Sequence, residues 1–68
     1  MNRNLLRTKM ILKGDTNETL AEYLGLHPTS LSMKLNEYHG REFTQSEIRA
    51  IRERYDLTDA EVTQIFFA

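Results

Sequence analysis

The segment Asn17–Asn36, NETLAEYLGLHPTSLSMKLN, decides the fold of this chain. Leu20, Ala21 and Leu24 lie on one side of a helix of about two turns. Gly25 follows, a residue that takes positive φ without steric cost and so ends the helix. After the Gly25-Leu26-His27 turn, Pro28 sits in a first-turn position, where its missing N–H costs nothing. Leu31 and Leu35, four residues apart, give the next helix a buried side, and Thr29, Ser32, Met33 and Asn36 fall on the other. Ala21 is small at the point where the second helix must cross the first closely. Leu20, Leu24, Leu26, Leu31 and Leu35 form the wedge between them. This is the construction of a helix-turn-helix, which holds its second helix outward.

The rest of the chain also reads as short helices. Arg3 to Lys13 carries Leu5, Leu6, Met10, Ile11 and Leu12 among basic residues, and Gly14 is placed to end it. Lys9 and Lys13 near its C-terminus suit the helix dipole. Asp15-Thr16-Asn17 offers three N-caps in a row: Asp15 with Glu18 has capping-box spacing, and Thr16 is an equally good cap. Glu37–Arg41 reads as a connecting loop. Thr44 with Glu47, and Thr58 with Glu61, mark two further helix starts, the first with a hydrophobic staple from Phe43 to Ile48. Ile48, Ile51 and Tyr55 make one apolar stripe, and Val62, Ile65 and Phe66 another. No alternating run demands a strand. The expectation is an all-α single domain over residues 1–68, with five short helices and the helix-turn-helix at the second and third.

Composition narrows the function. The 68 residues contain no cysteine, which excludes disulfides and thiolate metal sites. His27 and His39 cannot make a structural zinc site without carboxylate help, and neither a metal nor a cofactor is expected. No apolar run approaches the ~18 residues of a membrane span, and the N-terminus lacks the apolar core of a signal peptide. The serines lack a partnered histidine and acid, and there is no phosphate-binding glycine loop, so neither an enzyme nor a small-molecule binder is expected. The net charge is −1, but it is unevenly spread. Up to Arg41, six basic side chains face four acidic ones; from Glu42 onward, three basic face six acidic. That asymmetry points to a polyanion-facing N-terminal half. Arg49, Arg52 and Arg54 alternate with Glu47 and Glu53 and read as an ion-paired solvent face of one helix. Phe66 continues the stripe from Val62, whereas Phe67 falls off it and leaves an aromatic exposed near the C-terminus.

With Ala21 at the small position, Gly25 in the turn, Leu26 after it and Leu31 in the second helix, the segment resembles the helix-turn-helix of phage Cro and repressor proteins, the XRE-like family. The Ser32-Met33-Lys34-Leu35-Asn36 run, the Phe43–Ile48 stretch and the ending Ile65-Phe66-Phe67 are similar to one small Cro-like group of phages. The resemblance implies a lambda-repressor-like fold and a transcriptional regulator that binds double-stranded operator DNA, with residues 28–36 in the major groove. It implies base contacts from Thr29, Ser32 and Met33, with His27, Pro28 and Asn36 beside them. Phosphate contacts would come from Asn17, Lys34 and Arg41, with Lys13 and Arg7 as weaker contributors. A homodimer on a palindromic site is implied, with Phe67 and Ile65 as interface candidates, as is a cytoplasmic, nucleoid-associated location in a bacterial host. Asn17 departs from the glutamine usual in the family, and Met33 from a long polar or basic reader. The alternative is a small helical interaction module, an antirepressor or adaptor, that uses Phe67 and the acidic half against another protein.

Overall fold

Five helices follow one another in the computed structural model, which describes residues 1–67: α1 (Arg3–Lys13), α2 (Asn17–Leu24), α3 (Pro28–Leu35), α4 (Gln45–Tyr55) and α5 (Asp59–Phe66). A single 3-10 turn at Tyr38–Gly40 interrupts the connection between α3 and α4. There is no strand among the described residues, so the chain is all-α. No helix is long and apolar enough to cross a membrane.

The helix ends follow local chemistry. Thr44 and Thr58 accept from the N–H groups of Glu47 and Glu61, whose carboxylates return to the Thr44 and Thr58 N–H groups, closing two capping boxes. At α2 the cap is Thr16, and its box partner is Thr19 rather than Glu18. Asp15 is thereby released for another task. α1 and α2 both end on a left-handed glycine, Gly14 (φ 79°) and Gly25 (φ 71°). The N–H of Leu26 reaches back to the Ala21 carbonyl at 2.8 Å, the hydrogen bond that reverses the chain between α2 and α3. α4 ends in the same way, with the Leu57 N–H on the Arg52 carbonyl at 3.0 Å, but Asp56 occupies the left-handed position at φ 50°.

All five helices contribute to one core. Leu6 and Met10 come from α1, Leu20 and Ala21 from α2, Leu31 and Leu35 from α3, Ile51 from α4 and Ile65 from α5, and Leu57 enters from the α4–α5 turn. Leu24 and Leu26 pack against this cluster from its edge. Ala21 has no exposed surface and belongs to the core, and α2 packs on α3. A larger side chain there would force the two helices apart. The Asn2 N–H donates to the Ile65 carbonyl at 2.7 Å and ties the start of the chain to α5. Phe43 meets Phe66 edge to face, with ring centroids 5.9 Å apart, so the aromatic before α4 packs on the end of α5.

Because Asp56 is exposed and holds a left-handed conformation that glycine adopts freely, Asp56→Gly is expected to raise stability by about 0.5 kcal/mol after the gain in unfolded-chain entropy is offset. In a domain of this size that is a Tm increase of roughly 2–4 °C in a thermal melt. An unchanged or lower Tm would show that the Asp56 side chain contributes something glycine cannot.

Candidate nucleic-acid interface

α3 is fixed by its two ends and one face. At its start the His27 Nδ1 accepts from the Thr29 N–H at 3.1 Å, so His27 caps the helix and keeps Nε2 as its donor. Leu31 and Leu35 are buried, and the opposite face carries Thr29, Ser32, Met33 and Asn36. Thr29, His27 and Asn36 are exposed, whereas Pro28, Ser32 and Met33 are half-buried. The four outward residues line an open concavity together with Tyr38 from the 3-10 turn.

Two ion pairs hold the α2–α3 unit onto α4. At one end Asp15, with its side chain 4% exposed, receives Arg54 in a two-pronged contact, Nε to Oδ2 at 2.7 Å and Nη2 to Oδ1 at 2.6 Å. The Tyr55 hydroxyl donates to Oδ2 at 2.6 Å and the Thr19 hydroxyl to Oδ1 at 2.9 Å. The Arg54 guanidinium also lies over the Tyr23 ring at 4.6 Å. Arg54 holds the Asp15 carboxyl well below the usual carboxylate range, with Tyr55 and Thr19 adding to an effect that burial opposes. Burial, then the hydrogen bond to Asp15 and its charge, pushes the Tyr55 hydroxyl upward. At the other end Lys34 Nζ meets Glu47 Oε1 at 2.6 Å, the same oxygen that caps α4. Burial pushes the Glu47 carboxyl up, but Lys34 and the Thr44 N–H more than reverse this and leave it lowered.

These contacts occupy several of the expected residues. Lys34, expected at a phosphate, is 16% exposed with its ammonium on Glu47, so its charge is neutralised inside the fold. Asn36, expected beside the bases, is tied down: its Nδ2 donates to the Ser32 carbonyl at 2.9 Å, and its Oδ1 accepts from the Arg3 guanidinium. Arg54 and Arg52 do not pair along their own helix, as their spacing with Glu47 and Glu53 suggested. Arg54 takes Asp15, and Arg52 takes Asp59 across the turn at 2.5 Å. Ile65 was expected at an interface together with Phe67, but it has no exposed surface because it fills the core under α1. Phe67, 60% exposed, is the part of that pair that remains at the surface.

Asn17 at the first position of α2, and Lys13, Arg7 and Arg41, are exposed. Among the described residues none of these three cations is in an ion pair; Arg3 likewise has no carboxylate partner. Arg3 and Tyr38 are the residues that sequence reasoning missed. An aromatic in the polar EYHGRE stretch was the available signal for Tyr38, whereas nothing local marks Arg3, which reaches the end of α3 from the start of α1. Comparison with protein-family models, curated proteins and solved structures finds no match for this chain.

The Asp15–Arg54 clip makes a prediction about acid stability. A carboxylate lowered by folding adds stability above its unfolded pKa of roughly 4, and that stability drains away as pH falls toward the folded value. Unfolding in urea should therefore show stability that is flat near neutrality and declines below about pH 5. Asp15→Asn should cost about 2–3 kcal/mol at neutral pH, less than a fully buried pair because Arg54 keeps some solvent contact, and should flatten the acid limb. A variant retaining the full wild-type acid dependence would locate that dependence elsewhere.

Proposed function

We propose that this protein binds double-stranded DNA sequence-specifically, as a transcriptional regulator of the phage Cro and repressor kind, with α3 in the major groove. The observation that carries the reading is the presentation of α3. Leu31 and Leu35 anchor it in the core, and Thr29, Ser32 and Met33 form a continuous outward stripe. Thr29 and Ser32 carry hydroxyls that donate to or accept from several bases, and His27 offers Nε2 at the helix start. Arg3 and Arg41 lie beside the C-terminal end of α3, and Asn17 and Lys13 beside the start of α2, where phosphates would fix the register. The stripe holds no arginine, so the strong two-pronged guanine contact is missing from this helix, and base readout is modest. Dimerisation doubles the contacts on a palindromic site, and Phe67 is the exposed aromatic available for it.

A second reading rests on a separate observation. Ile11 (68% exposed), Leu12 (78% exposed) and Phe67 leave large apolar side chains in solvent, which suits a helical module that docks on another protein. Fluorescence anisotropy with a random duplex at low salt separates the two. The DNA reading expects binding at micromolar protein that weakens as salt rises, and Arg41→Ala should reduce the slope of log K against log salt by about 1. In a duplex selected from a random pool, replacing Thr29, Ser32 and Met33 together should flatten sequence preference while the helical circular dichroism is retained. Absence of any shift, or preference unchanged in the triple variant, would remove the assignment and favour the protein-docking module.

A further inference from the structure

A concavity lies on the outer face of α3, where the stripe meets the 3-10 turn. Thr29, Ser32, Met33 and the C-cap Asn36 stand at i, i+3, i+4 and i+7 and line it together with Tyr38. We propose that this concavity is a seat for the 5-methyl group of a thymine, and that Tyr38 is a specificity-determining residue. The inference rests on the DNA-binding reading above and names what one part of that surface takes.

The larger apolar share of the lining points to the occupant. Part of the polar lining is turned to itself. Asn36 Nδ2 is on the Ser32 carbonyl at 2.9 Å, with the Ser32 hydroxyl at 3.4 Å, and Asn36 Oδ1 is held by Arg3. Besides the hydroxyls of Thr29, Ser32 and Tyr38, the lining offers the Thr29 methyl, the Met33 thioether chain and the Tyr38 ring, three apolar surfaces around an open depression. Such a seat takes a small apolar group better than a hydrogen-bonding edge. On a base pair in the major groove, the group of that kind is the thymine methyl.

The backbone holds Tyr38 in place. Glu37 and His39 both stand at φ 51° and Gly40 at φ 73°, so two non-glycine residues on either side of Tyr38 are left-handed. Each such residue is strained by roughly 1 kcal/mol, and the turn that results brings the chain back beside α3 instead of away from it. The Glu37 N–H on the Lys34 carbonyl at 3.2 Å and the Arg41 N–H on the Tyr38 carbonyl at 3.1 Å close the turn on both sides. His39 meets the Tyr38 ring edge-on, with centroids 4.1 Å apart. Tyr38 nevertheless remains 55% exposed, so much of its ring is still bare. Charge decides between DNA and an apolar protein side chain as occupant. Arg3 is bonded to Asn36, a lining residue, and Arg41 closes the turn through its N–H on the Tyr38 carbonyl; neither has a carboxylate partner among the described residues. Two unneutralised arginines in the segments that adjoin the lining suit a polyanion better than an apolar side chain.

The experiment takes the full chain and a duplex selected from a random pool, then exchanges each thymine for uracil one position at a time, which deletes the methyl and leaves every hydrogen-bonding group intact. The seat predicts one position per half-site at which uracil weakens binding about fourfold, the effect of one buried methyl. Tyr38→Ala should abolish the difference between thymine and uracil at that position, and Tyr38→Phe should preserve it, both variants keeping wild-type helical content. If a duplex is selected but uracil equals thymine everywhere, the seat is overturned and the DNA-binding reading stands. If the uracil effect persists undiminished in Tyr38→Ala, the methyl is read elsewhere and the role of Tyr38 is overturned. Failure to select any duplex overturns both.

Discussion

The structure depends on a charge held between the first and second helices. Asp15 lies just after the glycine that ends α1 and just before the threonine that caps α2, and its carboxylate accepts from Arg54, Tyr55 and Thr19 at once. A carboxylate this enclosed is stable only while its partners stay in place, so the contact fixes α4 relative to the start of α2. α2 and α3 are eight residues each, well short of the ~12–15 at which an isolated helix becomes even marginal in water. Their conformation therefore comes from what they pack on. With Arg54 gripping one end of the unit and Glu47 gripping Lys34 at the other, α4 serves as a rail that sets where α3 points.

What the sequence made legible was local. The two Thr/Glu capping boxes, Pro28 at a helix start and the left-handed Gly14 and Gly25 each act within three or four residues, and those helix boundaries can be read directly from the chain. The core was legible for the same reason: the 3.6-residue period that puts Leu31 and Leu35 inside also puts Thr29, Ser32 and Met33 outside. The clip was not legible, because Asp15 and Arg54 are 39 residues apart and each has a nearer partner of suitable type in the sequence. Asp15 could cap α2, and Arg54 could pair along α4. Tertiary geometry chose otherwise, giving the cap to Thr16 and freeing Asp15 for the longer reach. Lys34 illustrates the same limit. Its place on α3 suggested a phosphate contact, but Glu47, 13 residues away, claims the charge. Tyr38 stayed hidden because its orientation depends on left-handed Glu37 and His39, and neither residue type announces that conformation.

Pairing inside the fold also changes what the charge balance means. Lys9, Lys34, Arg52 and Arg54 are each matched to a carboxylate, so four of the nine basic side chains contribute little to the outer field. Among the described residues Arg3, Arg7, Lys13 and Arg41 have no such partner, and all four belong to the N-terminal stretch that ends at Arg41. Glu18 and Glu22 are unmatched in the same stretch; beyond it the unmatched charges are Arg49 against Glu42, Glu53 and Asp56. Ion pairing thus leaves the surface polarity that the sequence suggested, now tied to particular side chains.

That distribution bears on how α3 would work under the proposed reading. A net charge of −1 gives little long-range attraction to DNA, so a loosely held, non-specific complex is weak. The few matched contacts then matter more: a phosphate at Arg3 or Arg41 is useful only when α3 is seated, because Arg3 is bonded to Asn36 and Arg41 closes the turn that carries Tyr38. Charge and apolar contact are coupled through the same short piece of backbone. A helix without an arginine on its outward stripe can still discriminate if the cations that anchor it also position the apolar surface that reads a methyl group.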